Sequence, residues 1–207
     1  MNTDLQNISD YLTKNELVIN LKPGKTESIM FGTRKKLNQN HQFINLQYNS
    51  QPISTTKEYK YLGNILDQTL SFNTNFNRVY KKTSAKLRLL WSLKLYLSPE
   101  SLVKIYKGIL LSVLLYSCTT NLNLTNSQMS KLSSLDNRIA KITGKKQTPI
   151  ESEMKKHSVI LVKKCLNNEV CENFVTFFTI RNHEVNTRNN GFLLQVPRVP
   201  YLSNFPF

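Results

Sequence analysis

Arg78-Val79-Tyr80-Lys81-Lys82-Thr83-Ser84-Ala85-Lys86-Leu87-Arg88-Leu89-Leu90-Trp91 is the stretch on which the fold turns. Tyr80, Ser84, Leu87 and Trp91 recur at helical spacing and fall on one face. Arg78, Lys82, Lys86 and Arg88 project elsewhere, partly along an i, i+4 line. A long basic amphipathic helix is therefore expected after Ser71, where the chain changes character. Downstream, Ser98 is a natural N-cap with Pro99 at the first helical position. Leu102, Ile105, Ile109 and Val113 are the expected buried stripe of that next helix. Thr125-x-x-Gln128 is a capping box that opens a third helix, carried by Met129, Leu132, Leu135, Ile139 and Ile142 and stopped by Gly144. Three helices with short connections make a basic bundle.

Upstream the pattern is different. Thr3-x-x-Gln6 reads as a capping box for a short helix reaching about Leu12. Leu17-Val18-Ile19 and Ser28-Ile29-Met30-Phe31 are apolar strand signals on either side of a Pro23-Gly24 turn, and a hairpin is predicted from them. Gly32 to His41 is a polar, basic loop, and Phe43–Leu46 and Tyr59–Leu66 complete a small strand-rich region. Beyond Lys145, Glu151–Leu166 is predicted helical, Phe174–Ile180 is apolar and aromatic, and the chain from Arg181 is loop-like, with Pro197, Pro200 and Pro206 and an end that looks truncated. The reading is an α+β chain in three parts, residues 1–70, 71–145 and 146–207.

Net charge is +15, and it is concentrated. Residues 71–145 carry 12 basic side chains against only Glu100 and Asp136. A block this lopsided suits an anionic partner such as nucleic acid, bound by neutralising phosphates. Other classes are set aside. No apolar run is long enough to span a bilayer, the strongest candidate being Ile109–Tyr116, and Met1–Asp10 is too polar for a signal peptide. Three cysteines at 118, 165 and 171 form no tight pair, which points to reduced thiols in an intracellular setting, nuclear or cytoplasmic. Cys165 and Cys171 with His157 or His183 fit no compact zinc module, so no metal is expected. Gly24-Lys25-Thr26 lacks the upstream glycine of a P-loop, and no nucleophilic triad is written in the chain.

Four segments carry a resemblance. Asn15-Glu16-Leu17-Val18-Ile19-Asn20, followed by Gly24-Lys25-Thr26-Glu27-Ser28-Ile29-Met30-Phe31-Gly32-Thr33, resembles the region that follows the catalytic hairpin in non-LTR, LINE-type retrotransposon reverse transcriptases. Tyr59-Lys60-Tyr61-Leu62-Gly63, with Leu66-Asp67 and Leu70-Ser71-Phe72 behind it, looks like their primer-grip turn leading into the thumb. Asn137-Arg138-Ile139-Ala140-Lys141-Ile142-Thr143-Gly144 and Thr187-Arg188-Asn189-Asn190 look like features of the same family's C-terminal region. The order matches along nearly the whole chain.

The resemblance implies a fragment of an RNA-directed DNA polymerase: a palm remnant over residues 1–70, a thumb over 71–145 and a C-terminal extension over 146–207. The intact family enzyme uses two Mg2+ ions held by palm aspartates. This chain has no Asp-Asp pair, and its match begins after the hairpin, so the chain alone is expected to be inactive and to bind no cofactor. Lys25 matches a lysine thought to assist nucleotide addition as an acid near the pyrophosphate, though the Pro23-Gly24 turn before it departs from the family and alters its reach. Tyr61, Leu62 and Gly63 match the primer grip, where glycine lets the backbone approach the primer. Lys81, Lys82, Lys86, Arg88 and Lys94 are the expected phosphate contacts to an RNA/DNA template–primer. Tyr80 and Trp91 could stack on bases, but their spacing favours packing in the core. The other expected partners are the missing fingers and palm. The alternative reading is a stand-alone nucleic-acid-binding module or a functionless pseudogene product.

Overall fold

The structure, a computed structural model, describes residues 2–22, 24–39, 46–116, 118 and 124–172. They divide into two compact units, the first ending at Asn77 and the second beginning at Arg78. The fold is mixed, mainly helical with two small antiparallel two-stranded sheets, as an α+β reading requires. The expected features at Phe174–Ile180, from Arg181 onward and at Thr187–Asn190 lie outside the described residues. Among the described residues no helix is long and apolar enough to cross a membrane.

The first unit opens with α1, Asn2–Lys14. Because the helix already runs from Asn2, Thr3 is a helical position and not the cap expected of it. The helix ends in a Schellman pattern. Leu17 N–H donates to the Leu12 carbonyl (2.9 Å) and Glu16 N–H to the Thr13 carbonyl (3.1 Å), with Glu16 at φ 56°. The hairpin predicted from Leu17–Ile19 and Ser28–Phe31 does not form. Ser28 instead makes a single parallel bridge with Thr55, its N–H donating to the Ser54 carbonyl and its carbonyl accepting from Thr56 N–H, both at 2.8 Å. With those groups satisfied elsewhere, Leu17–Asn20 belongs to no strand, and Val18 is 91% exposed. Within the predicted Gly32–His41 loop, α2 (Arg34–Gln39) forms because Thr33 caps it: Leu37 N–H reaches the Thr33 carbonyl at 2.9 Å and Lys36 N–H its hydroxyl at 3.4 Å. Of the expected Phe43–Leu46 strand, only Leu46 lies in the described residues; its carbonyl accepts from Ile53 N–H at 2.8 Å.

The two sheets are tight hairpins of one design. β1 (Gln47–Tyr48) pairs with β2 (Gln51–Pro52) across Asn49 and Ser50, at φ 47° and 62°. β3 (Glu58–Tyr61) pairs with β4 (Asn64–Asp67) across Leu62 and Gly63, at φ 44° and 84°. Two central residues at positive φ are the type I′ signature, whose twist matches that of paired strands. Ser9 on α1 is buried and donates to Asn49 Oδ1 (3.1 Å), which fastens the first hairpin to that helix. Asn75, in the first turn of α3 (Asn73–Leu93), fastens the second: its Oδ1 accepts from Ile65 N–H (3.1 Å) and its Nδ2 donates to Asn64 Oδ1 (3.3 Å).

The second unit holds the remainder of α3, then α4 (Pro99–Ile105), a π-helical segment (Tyr106–Leu111), α5 (Ser112–Leu115), α6 (Asn126–Thr143) and α7 (Ile150–Leu166). The local start and stop chemistry is as read from the sequence. Ser98 caps α4 with Pro99 next to it, Thr125 and Gln128 form a reciprocal capping box on α6, and Gly144 ends α6 at φ 71°, a left-handed conformation that glycine adopts without a Cβ clash. The α7 N-terminus has no side-chain cap of its own; Asp136 of α6 reaches it, Oδ1 accepting from Ile150 N–H at 3.2 Å. The core joins Leu87 and Leu90 of α3 to Leu132, Leu135, Ile139 and Ile142 of α6 and to Ile150 and Met154 of α7.

One stripe departs from expectation. Along α4–α5 the buried residues are Leu102, Tyr106, Leu110 and Leu114, and Ile109 is exposed. The π-helical segment is the reason. Its i→i+5 turns are wider and use more residues per revolution, so positions four apart stay on one side. The Ser112 hydroxyl donates to the Gly108 carbonyl at 2.6 Å.

Candidate nucleic-acid interface

In the first unit, two of the quoted segments lie side by side. Lys25 N–H donates to the Lys22 carbonyl (3.0 Å), closing a turn in which Gly24 sits at φ 81°. The Tyr59 hydroxyl donates to the Lys25 carbonyl (3.0 Å), Ser28 bridges Thr55, and Gly32 N–H donates to the Gln68 carbonyl (3.0 Å). Lys25 is exposed at this turn, and the hairpin tip formed by Tyr61, Leu62 and Gly63 is exposed at the first two of these, Leu62 at 72%.

Asp67 sets the exit from that hairpin. Its Oδ1 accepts from Thr69 N–H (3.0 Å), the Thr69 hydroxyl (2.6 Å) and Ser71 N–H (3.1 Å). Its Oδ2 accepts from Phe72 N–H (2.8 Å) and the Ser71 hydroxyl (3.1 Å). Burial pushes this carboxyl up, but the hydrogen bonds from Thr69, Ser71 and Phe72 outweigh burial and hold it below its ordinary value. The clip keeps Leu70 (φ 52°) and Phe72 (φ 55°) in left-handed conformations that leucine and phenylalanine disfavour, so the loop turns sharply into α3.

In the second unit, the four α3 cations expected to meet phosphates divide into two flanks. At 3.6 residues per turn, Lys81 and Arg88 share one side and Lys82 and Lys86 the other. Lys94 is engaged within the unit. Its Nζ donates to the Lys141 carbonyl at the end of α6 (2.7 Å) and lies 5.3 Å from the centre of the Trp91 ring. Lys131 of α6 sits 5.8 Å from the ring centre of Tyr80. These contacts run in the same order along both helices, so α3 and α6 lie parallel.

Between them is a shallow cleft of about 220 Å³ lined by Leu87, Arg88, Trp91, Arg138, Lys141 and Ile142. Trp91 is 55% exposed, so the expected packing of this ring into the core is corrected. The buried stripe of α3 runs through Phe76, Thr83, Leu87 and Leu90, and Trp91 falls at its edge, on the cleft side. Arg138 and Lys141 were not singled out among the cations read from the sequence. Their signal was their position beside the core residues Ile139 and Ile142, which turns both toward the same seam.

The acids of this region are occupied elsewhere. Glu100 pairs with Lys145 at 3.7 Å, and its own backbone N–H, then Lys145, hold its carboxyl below the usual range. Asp136 caps α7; burial pushes its carboxyl up, and the Ile150 N–H only partly offsets that. The cleft is lined by cations, an indole and two apolar side chains, with no carboxylate among the described residues that line it.

Among the described residues no three His, Cys, Asp or Glu side chains come together to hold a metal ion. Cys118 and Cys165 are buried and Cys171 is exposed. Comparisons with known proteins yield no match: no family model fits the chain, and no curated protein or solved structure is significantly similar to it.

Proposed function

We propose that this chain is the post-hairpin palm and thumb of a non-LTR retrotransposon reverse transcriptase, and that it holds an RNA/DNA template–primer by its phosphates without catalysing synthesis. The observation that carries this reading is the adjacency of its two best-resembling segments. The Lys25 turn is tied to Tyr59, and the Tyr61-Leu62-Gly63 tip leads through the Asp67 clip into a basic helix. On this reading Leu62 and Gly63 approach the primer, Lys25 lies near the incoming phosphates, and Lys81, Lys82, Lys86 and Arg88 track the duplex backbone.

Fluorescence anisotropy with an RNA–DNA hybrid tests it. If Lys81, Lys82, Lys86 and Arg88 each neutralise one phosphate, log K against log salt has a slope of about −4, with little dependence on base sequence. Lys82→Gln then makes the slope shallower by about 1. Salt-independent binding, or none, overturns the reading. Nucleotide incorporation by the purified chain that persists after contaminants are removed overturns its non-catalytic half.

A further inference from the structure

A surface that only tracks phosphates needs cations and nothing more. The α3–α6 cleft has more: an indole on its rim and an apolar floor of Leu87 and Ile142, both buried. At about 220 Å³ it is smaller than the ~300–1,000 Å³ of pockets that enclose a whole ligand. That size suits one flat ring system. Arg88, Arg138 and Lys141 give it a single sign of charge. Lys94 lies over the Trp91 ring while bonded to the end of α6, so the ring is held in place before anything binds. In a duplex the bases are stacked inside and cannot reach such a cleft.

Resting on the nucleic-acid reading above and deepening it, we propose that the α3–α6 cleft captures one unpaired nucleotide of a single strand. The base lies against Trp91 over the Leu87–Ile142 floor, and the neighbouring phosphates meet Arg88, Arg138 and Lys141. The surface then discriminates single strand from duplex by stacking, independently of sequence.

Trp91 is the only tryptophan in the chain, so its fluorescence reports this site alone. The full chain is titrated with an oligo(dT), with an abasic oligomer of equal length, with the RNA–DNA hybrid and with a polyglutamate of matched charge. Oligo(dT) is expected to quench Trp91, whereas the abasic strand binds with a similar salt slope and little quenching. By fluorescence anisotropy of end-labelled strands, Trp91→Ala is expected to weaken oligo(dT) roughly 5- to 100-fold while the abasic strand and the hybrid stay within about 2-fold. Trp91→Phe keeps a ring and restores most of the loss, which separates stacking from misfolding. Equal quenching by the abasic strand, equal quenching by polyglutamate, or no selective loss in Trp91→Ala overturns the proposal. If hybrid and abasic strands bind but bases add nothing, only this inference fails; if no nucleic acid binds, the reading beneath it fails first.

Discussion

Replacing Asp67 should unfasten the junction between the β3–β4 hairpin and α3. Its carboxylate gathers five hydrogen bonds, three of them from the backbone amides of Thr69, Ser71 and Phe72. A hydrogen bond to a charged acceptor contributes about 1.5–3 kcal/mol, and less where water competes. Ser71 is exposed and can turn to water, so the cost is carried by the half-buried Thr69 and Phe72 amides. That gives about 2–3 kcal/mol for Asp67→Ala. Asp67→Asn keeps one acceptor but sets an NH2 against a set of donors, which costs about 1–2 kcal/mol. The assay is native-state hydrogen exchange at the Ile65 amide, which is bonded to Asn75, combined with urea unfolding. The pH dependence has a definite sign. Because the folded carboxyl lies below its unfolded value, its contribution is complete above that value, about pH 4, and is lost as pH falls through the folded one. Asp67→Asn should flatten this acid limb. An Asp67→Ala opening free energy within about 0.5 kcal/mol of wild type, or an unchanged acid limb in Asp67→Asn, would refute the reasoning.

Two further outcomes are expected. Among the described residues the buried Tyr106 hydroxyl has no hydrogen-bond partner, and burial, then the charges of Asp136 and Glu153, push it up to about 12. The folded state therefore holds this proton more tightly, and stability should fall as pH rises between about 10 and the folded value. Tyr106→Phe should remove that alkaline loss and leave neutral-pH stability unchanged or higher by up to about 1 kcal/mol, read by melting at neutral and strongly alkaline pH. Leu62→Asn, a residue better suited to the left-handed turn position, should stabilise the hairpin by about 1 kcal/mol in exchange measurements while weakening hybrid binding if Leu62 meets the primer. Lower stability in that variant would show the turn argument to be wrong.

The helix ends were legible because their chemistry is local. Ser98, the Thr125–Gln128 box and Gly144 each act within one turn of where they are written. Strand pairing was not, because the partner of Ser28 lies 27 residues away at Thr55 and nothing in Leu17–Phe31 encodes that choice. Glu16 ends α1 in a left-handed conformation usually given to Gly or Asn, so its role carried no compositional mark. The exposure of Trp91 is not legible because helical periodicity gives a direction without a depth: a ring at the edge of the stripe can close a core or rim a groove. Lys94 was legible as a cation but not as a clasp, since the Lys141 carbonyl that receives it lies on another helix.

The π-helical segment amounts to a counting surplus. Leu102, Tyr106, Leu110 and Leu114 are spaced four, four and four. Excising one residue between Tyr106 and Leu110 would rewrite that as four, three and four, the stride of an ordinary α-helix. Gly108 is exposed in the middle of this interval, with open space around the place where a Cβ would stand. The helix thus carries one residue more than its buried face can use, and the slack is stored on the solvent side. Shortening the chain by one residue there should leave the same four side chains in the core, whereas lengthening it by one has no such ready accommodation.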